Sequence, residues 1–80
     1  MNEFALSELP LHGFCRVIRV EPCPAKLRLE GVGFTEGAEV VSLFRAPSGD
    51  PTAYSLRGSV VALRRSDAVN VIVRGRGEWA

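Results

Sequence analysis

Cysteine and histidine are scarce in this chain, whose 80 residues include two cysteines, Cys15 and Cys23, and a single histidine, His12. Structural zinc sites use four ligands and catalytic sites about three, so these side chains predict no metal site. The spacing of the cysteines fits neither a CxxC redox motif nor the paired ligands of a zinc module. We therefore expect ordinary apolar cysteines and a solvated histidine. A small metal-binding protein that uses these three residues and carboxylates is kept as an alternative.

Long hydrophobic runs are absent too. No apolar stretch approaches the roughly 20 residues that span a bilayer. The N-terminus, with Glu3 and no basic segment, does not resemble a signal peptide. The sequence therefore predicts a cytoplasmic protein that does not itself insert into a membrane.

An excess of one charge is also missing, because 10 Lys and Arg residues face 9 Asp and Glu residues for a formal net charge of +1. The arginines are not interleaved with aromatic residues on which bases could stack, so no nucleic-acid partner is predicted. The chain lacks a GxxxxGK[ST] phosphate-binding loop, and one histidine leaves little scope for a Ser-His-Asp or Cys-His nucleophile. We expect neither an enzyme nor a cofactor.

Short apolar runs separated by turn residues make up most of the chain. At 80 residues it is predicted to be one domain with its core over about residues 6–74 and a loose tail over 75–80. Trp79 in that tail is a candidate anchor for a second copy or a partner. The predicted strands run from Phe14 to Val20, from Glu39 to Arg45, from Ala53 to a tight turn at Arg57-Gly58-Ser59, from that turn to Leu63, and from Val69 to Val73.

Alternation along these strands assigns their side chains to two sides. In the first strand, Phe14, Ile18 and Val20 share one side and are opposed by Cys15, Val17 and Arg19. Phe44 and Tyr54 are predicted to lie in the core. About five short strands with turn punctuation and few helical residues are typical of a small closed or nearly closed β-barrel.

Two or three short helices complete the prediction. A single turn is expected before Pro10, and a helix from Ala25 to about Val32 buries Ala25, Leu29 and Val32 and ends at Gly33. Ser66 is the predicted N-cap of one further helical turn that reaches Ala68.

Several short motifs follow one another in a set order and spacing. They are Val32-Gly33-Phe34, Glu36-Gly37-Ala38-Glu39-Val40, Ala46-Pro47-Ser48-Gly49-Asp50-Pro51, and Leu63-Arg64-Arg65 with Ala68. In this order and spacing the chain resembles the FeoA family from about Leu6 to Arg74. Ser48 stands where the family usually has leucine, and Gly31 stands where a better helix former is usual.

The resemblance implies an SH3-like barrel and a role in bacterial ferrous iron uptake. FeoA-type proteins are linked to FeoB, the membrane permease whose cytoplasmic portion binds and hydrolyses GTP. The implied role is a small accessory protein that binds FeoB and regulates or assembles it, peripheral to the inner membrane. Any nucleotide chemistry then belongs to the partner.

Four residues are candidates for the partner-binding surface. Leu27 is turned away from Ala25 and Leu29 on the predicted helix, where it either presents an apolar patch or packs on the barrel. The others are Arg57, Arg64 and Arg65, which form either a basic rim that meets acidic groups of the partner or an ordinary solvated face.

One rival interpretation is a regulatory module related to the SH3-like C-terminal domains of DtxR-type metal-dependent repressors. The absence of a helix-turn-helix in this sequence speaks against it. Self-association through an exposed edge strand is a further prediction, because unpaired backbone groups at a sheet edge favour pairing with a second copy.

Overall fold

The computed structural model describes residues 3–75, which form one six-stranded antiparallel sheet with short helices. Its elements in chain order are β1 (Glu3–Ala5), a 3₁₀ turn (Leu6–Glu8), β2 (Phe14–Val20), α1 (Lys26–Val32), β3 (Glu39–Arg45), β4 (Thr52–Leu56), β5 (Ser59–Leu63), α2 (Arg65–Ala68) and β6 (Val71–Gly75). Within this range no helix is long and apolar enough to cross a membrane.

The spatial order of the strands is β1-β6-β2-β3-β4-β5. The mainly β prediction is therefore confirmed, with six strands in place of five. Over residues 3–75 the pairing does not join β5 back to β1, so closure of the sheet into a barrel stays a prediction. The strand that the sequence missed is β1, whose three residues pair only with β6 and are too few to show an alternating pattern.

The bounds of β2 and β3 and the β4–β5 turn agree with the prediction. Arg57 and Gly58 form the two-residue hairpin loop, with φ angles of 53° and 81°. Positive φ at both positions is what a type I′ turn requires, and it matches the twist of the flanking strands. Arg57 is thus held in a conformation that non-glycine residues adopt infrequently.

The last strand begins two residues later than predicted. Val69 and Asn70 extend the turn of α2, because their N–H groups donate to the carbonyls of Arg65 and Asp67. Gly75 therefore belongs to β6 and not to the tail. The rest of the predicted tail, including Trp79, lies outside the described residues.

Two β-bulges change which side chains face the core. A register shift between Val17 and Arg19 breaks the predicted alternation of β2 and places Cys15, Val17 and Val20 inside. A second shift between Ser42 and Phe44 turns Phe44 outward, and 59% of its surface is exposed. The prediction of a core Phe44 was wrong because simple alternation does not allow for an extra residue.

The core is a single cluster between the sheet, the 3₁₀ turn and α1. Tyr54 is buried in it as predicted, and Phe34 is its largest fully buried side chain. Its members are Leu6, Leu9, Cys15, Val17, Val20, Ala25, Leu29, Phe34, Ala38, Val40, Tyr54, Leu56, Leu63, Ala68, Val71 and Val73.

Helix α1 packs on the sheet through Ala25 at its N-cap and through Leu29. Gly33 ends it with φ of 121°, as predicted for a C-terminal cap. The prediction that Val32 is buried was wrong, since Val32 is exposed. The chain turns inward after Gly33, and Phe34 fills the core position at that end of the helix.

Helix α2 begins two residues earlier than predicted, with Arg64 at the N-cap and Ser66 inside the helix. The Ser66 prediction was wrong because the cap comes from a distant residue. The backbone N–H of Arg65 donates to Oδ1 of Asp50 at 2.9 Å, so a carboxylate from the β3–β4 loop satisfies a free amide of this helix.

Replacing Asp50 by alanine is expected to lower the free energy of unfolding by about 1 kcal/mol, the usual effect of losing a helix cap. Asp50→Asn keeps an acceptor oxygen and is expected to lose clearly less. Urea unfolding of both variants measures the difference. Equal losses in the two variants would show that the Arg65 contact does not stabilise α2.

Candidate functional site

Leu27 is the most exposed large apolar residue among residues 3–75, with 84% of its surface accessible. Residues of an α-helix are about 100° apart, so Leu27 points away from the buried Ala25 and Leu29. The predicted orientation is confirmed, and the alternative that Leu27 packs on the sheet is wrong.

Ion pairs and hydrogen bonds hold the helix that carries Leu27. Nζ of Lys26 donates to the carbonyl oxygen of Val20 at 2.8 Å and pairs with Glu30 at 3.0 Å. Nη2 of Arg28 lies 2.9 Å from Oδ2 of Asp67 and so joins α1 to α2. Each exposed pair contributes little to stability, but together they fix the surface around Leu27. We call Leu27, Arg28 and Asp67 the helix surface.

The three candidate arginines are all exposed but do not form one continuous rim. Arg57 lies in the β4–β5 turn, while Arg64 and Arg65 follow the opposite end of β5. At 3.3 Å per residue, a strand of this length separates the two ends by roughly 17 Å. Arg64 and Arg65 are neighbours, and Arg65 opens α2, the helix that Arg28 contacts.

Arg57 forms hydrogen bonds within the domain. Its Nε donates to the carbonyl oxygen of Gly33 at 3.3 Å, and its Nη2 donates to Oγ1 of Thr35 at 3.0 Å. It therefore links the β4–β5 turn to the end of α1. Arg64 and Arg65 have no acidic side chain within salt-bridge distance among residues 3–75, so their charges remain available to a partner.

A groove of about 530 Å³ crosses the outer face of the sheet. Its floor contains Phe14, Val41 and Ser55, which are cross-strand partners on β2, β3 and β4. Glu36 and Arg57 stand at its edge. No sequence pattern indicated this groove, because its floor depends on strand pairing that local patterns do not fix.

The metal-binding alternative relies on His12, Cys15 and Cys23, and these residues differ in their exposure to solvent. His12 is exposed, Cys15 is buried and Cys23 packs against the core. Burial raises the pKa of the Cys15 thiol to about 12, which disfavours the thiolate form that binds metals. Within residues 3–75, no three His, Cys, Asp or Glu side chains are grouped so that they could hold a metal ion.

The family assignment comes from a comparison with protein-family models. The model of the FeoA domain matches residues 4–75, nearly the whole described chain. This chain belongs to the FeoA family. The resemblance seen in the order of its motifs is therefore confirmed. No curated protein matches the chain.

Solved FeoA structures share the fold. The FeoA-like protein from Clostridium acetobutylicum is 29% identical, with a TM-score of 0.89 over 98% of this chain and 92% of that one. FeoA from Stenotrophomonas maltophilia is 34% identical, with a TM-score of 0.82 over 89% of each chain. The latter was solved with zinc and is described as a prokaryotic SH3 domain protein, with a suggested role as a ferrous iron transport activating factor.

More distant structural likenesses extend beyond the proteins described as FeoA. IdeR from T. acidophilum is 14% identical, with a TM-score of 0.78 over 94% of this chain but only 35% of that one. At this identity the likeness shows a shared fold alone.

Proposed function

We propose that this FeoA-family chain is a small cytoplasmic accessory protein of bacterial ferrous iron uptake. It binds the FeoB permease at its cytoplasmic GTPase portion and regulates or assembles it, with no reaction of its own. Family membership supports the iron-uptake role. The observation that carries the binding mechanism is Leu27, exposed over 84% of its surface on a helix held from both sides.

An exposed leucine on a braced helix is suited to partner binding. Burying a leucine side chain contributes about 1.5–3 kcal/mol, and a preorganised surface loses less conformational entropy on binding. Because Arg28 and Asp67 already pair with each other, docking over Leu27 leaves no new charge unpaired. Leu27 is thus the proposed anchor of the FeoB contact.

Arg64 and Arg65 supply the charge near this anchor. Both are exposed and lie at or next to the start of α2. We propose that they steer the encounter with acidic groups of FeoB, an effect that appears in the association rate and in its salt dependence. Arg57 contributes to the fold instead, through Gly33 and Thr35.

The proposed barrel gives these side chains a rigid support. The six strands are taken as the wall of an SH3-like barrel, in line with the SH3 description of the Stenotrophomonas protein. In this arrangement α1 and α2 lie outside the barrel wall, and the partner binds them without disrupting the strand pairing.

Leu27→Ala is expected to weaken binding to detergent-solubilised full-length FeoB about tenfold, as loss of an apolar anchor predicts. Val60→Ala is the matched control, because Val60 is 64% exposed but lies on β5. Biolayer interferometry of both folded variants measures the difference. Unchanged binding of Leu27→Ala, or equal weakening by both, would contradict the helix surface as the FeoB contact.

A further inference from the structure

Two arginines, Arg45 and Arg65, lie at one end of the sheet. Arg45 ends β3 and pairs with Thr52 of β4, which in turn pairs with Leu63 of β5. Arg65 follows two residues after Leu63 and opens α2. Neighbouring strands are about 4.8 Å apart, so β3 and β5 are roughly 10 Å apart, a gap that two arginine side chains can close.

A small polar cleft lies between these arginines. Three residues that carry hydroxyl groups, Ser7, Thr52 and Tyr54, line it together with Arg45 and Arg65. Its volume of about 10 Å³ is close to the least that admits one water molecule. The cleft therefore has room for a single oxygen atom, and a larger group would extend outward between the guanidinium groups.

The positive charge at this cleft is not neutralised within the described chain. Arg16, Arg19 and Arg28 each pair with a carboxylate, whereas Arg45 and Arg65 have none within salt-bridge distance among residues 3–75. Asp50 is near, but its Oδ1 accepts the backbone N–H of Arg65. The two guanidinium groups therefore outnumber the one carboxylate bound beside them.

Tyr54 lines this cleft and is buried in the core. Burial raises the pKa of the Tyr54 hydroxyl, while a hydrogen bond with Thr52 and the charges of Arg45 and Arg65 oppose that rise. The phenol stays neutral near pH 7 and keeps its proton. The cleft thus combines hydroxyl groups that can donate hydrogen bonds with two permanent positive charges.

We propose that this cleft binds a phosphate group, with one oxygen against the hydroxyls of Ser7, Thr52 and Tyr54 and the others held by Arg45 and Arg65. The planar guanidinium fork matches phosphate geometry and forms charge-assisted hydrogen bonds. The phosphate is either a free ion or part of a lipid headgroup. This site goes beyond the proposed FeoB contact and does not require it.

The test uses inorganic phosphate and the full chain, followed by two-dimensional amide NMR at constant ionic strength with chloride as the reference anion. Saturable shifts at Arg45, Thr52 and Arg65 are expected. Arg45→Gln and Arg65→Gln are each expected to weaken phosphate binding about tenfold, since each removes charge-assisted hydrogen bonds. The same spectra show that each variant is folded.

Arg74→Gln is the matched control, because Arg74 is exposed on β6 and has no carboxylate partner among residues 3–75. It is expected to leave phosphate binding unchanged. Absence of saturable shifts at the cleft, or equal weakening by all three variants, would overturn the proposal in favour of non-specific attraction to charge.

The source of the phosphate is distinguished with vesicles of phosphatidylglycerol and of phosphatidylcholine in the same buffer. Phosphatidylglycerol binding that Arg45→Gln weakens and Arg74→Gln does not would identify a lipid headgroup. Binding of inorganic phosphate without binding to vesicles would identify a free phosphate ion. Because FeoB is absent from every sample, failure here leaves the FeoB proposal standing.

Discussion

Phe34→Ala is expected to lower the free energy of unfolding by about 3–5 kcal/mol, the usual cost of truncating a buried aromatic residue. Phe34 is the largest fully buried side chain, and it follows directly after the glycine that ends α1. A domain of this size has little stability to spare, since stability amounts to roughly 0.05–0.15 kcal/mol per residue. The variant is therefore expected to unfold at a clearly lower urea concentration and temperature, as circular dichroism would show.

Phe44→Ala provides the matched control. The same side chain is removed, but Phe44 is 59% exposed beyond the β3 bulge. Its loss is expected to stay within about 1 kcal/mol because little apolar surface leaves the core. Similar losses in both variants would contradict the assignment of Phe34 to the core and of Phe44 to the surface.

Gly33→Ala is the second substitution with a large expected effect, a loss of about 1–3 kcal/mol. The φ of 121° at Gly33 is one that side-chain-bearing residues rarely adopt, and an alanine Cβ would lie 2.9 Å from Cδ of Arg57. Displacing Arg57 would also weaken its bonds to the Gly33 carbonyl and to Thr35. Thermal and urea unfolding measure the loss.

Gly31→Ala in the same helix is expected to act in the opposite direction. Gly31 lies inside α1, and an added Cβ would meet no atom within 4 Å. Alanine is favoured over glycine inside a helix by about 0.5–1 kcal/mol, so the variant is expected to be more stable. A loss of stability at position 31, or none at position 33, would contradict this account of α1 and its cap.

Local chemistry predicted much of this fold. The strand from Phe14 to Val20, the strand from Glu39 to Arg45 and the turn at Arg57-Gly58 depend on propensity and on residues that accept positive φ. Such signals lie within a few neighbouring residues and are visible in the sequence.

The errors arose where distant parts of the chain meet. The bulge before Phe44 depends on pairing with β4, and the cap of α2 comes from Asp50 in another loop. The short β1 forms only because β6 lies beside it. These features are set by tertiary contacts, which local patterns do not contain.

In the candidate site, too, local features were predicted and long-range placements were not. Helical spacing alone predicted that Leu27 faces solvent, because Ala25 and Leu29 define the opposite side of α1. The sequence could not show that β5 separates Arg57 from Arg64, or that Arg45 and Arg65 border one cleft. Those relative positions can be determined only when the order of the strands in the sheet is known.

The proposed FeoB contact and the proposed phosphate cleft are compatible on one small domain. Leu27 lies on α1, while the cleft lies at the end of β3 and β5. Arg65 is common to both proposals, since its side chain borders the cleft and its helix contacts Arg28 through Asp67. Leu27 and Arg45 variants therefore separate the two functions more cleanly than Arg65 variants do.

Calorimetric titration with the cytoplasmic GTPase portion of its own FeoB determines whether this protein binds FeoB. The titration is made without nucleotide, with GDP and with a non-hydrolysable GTP analogue. We predict saturable binding whose affinity depends on the nucleotide and falls in Leu27→Ala. A folded protein that gives no heat of binding in any of these states would contradict the claim.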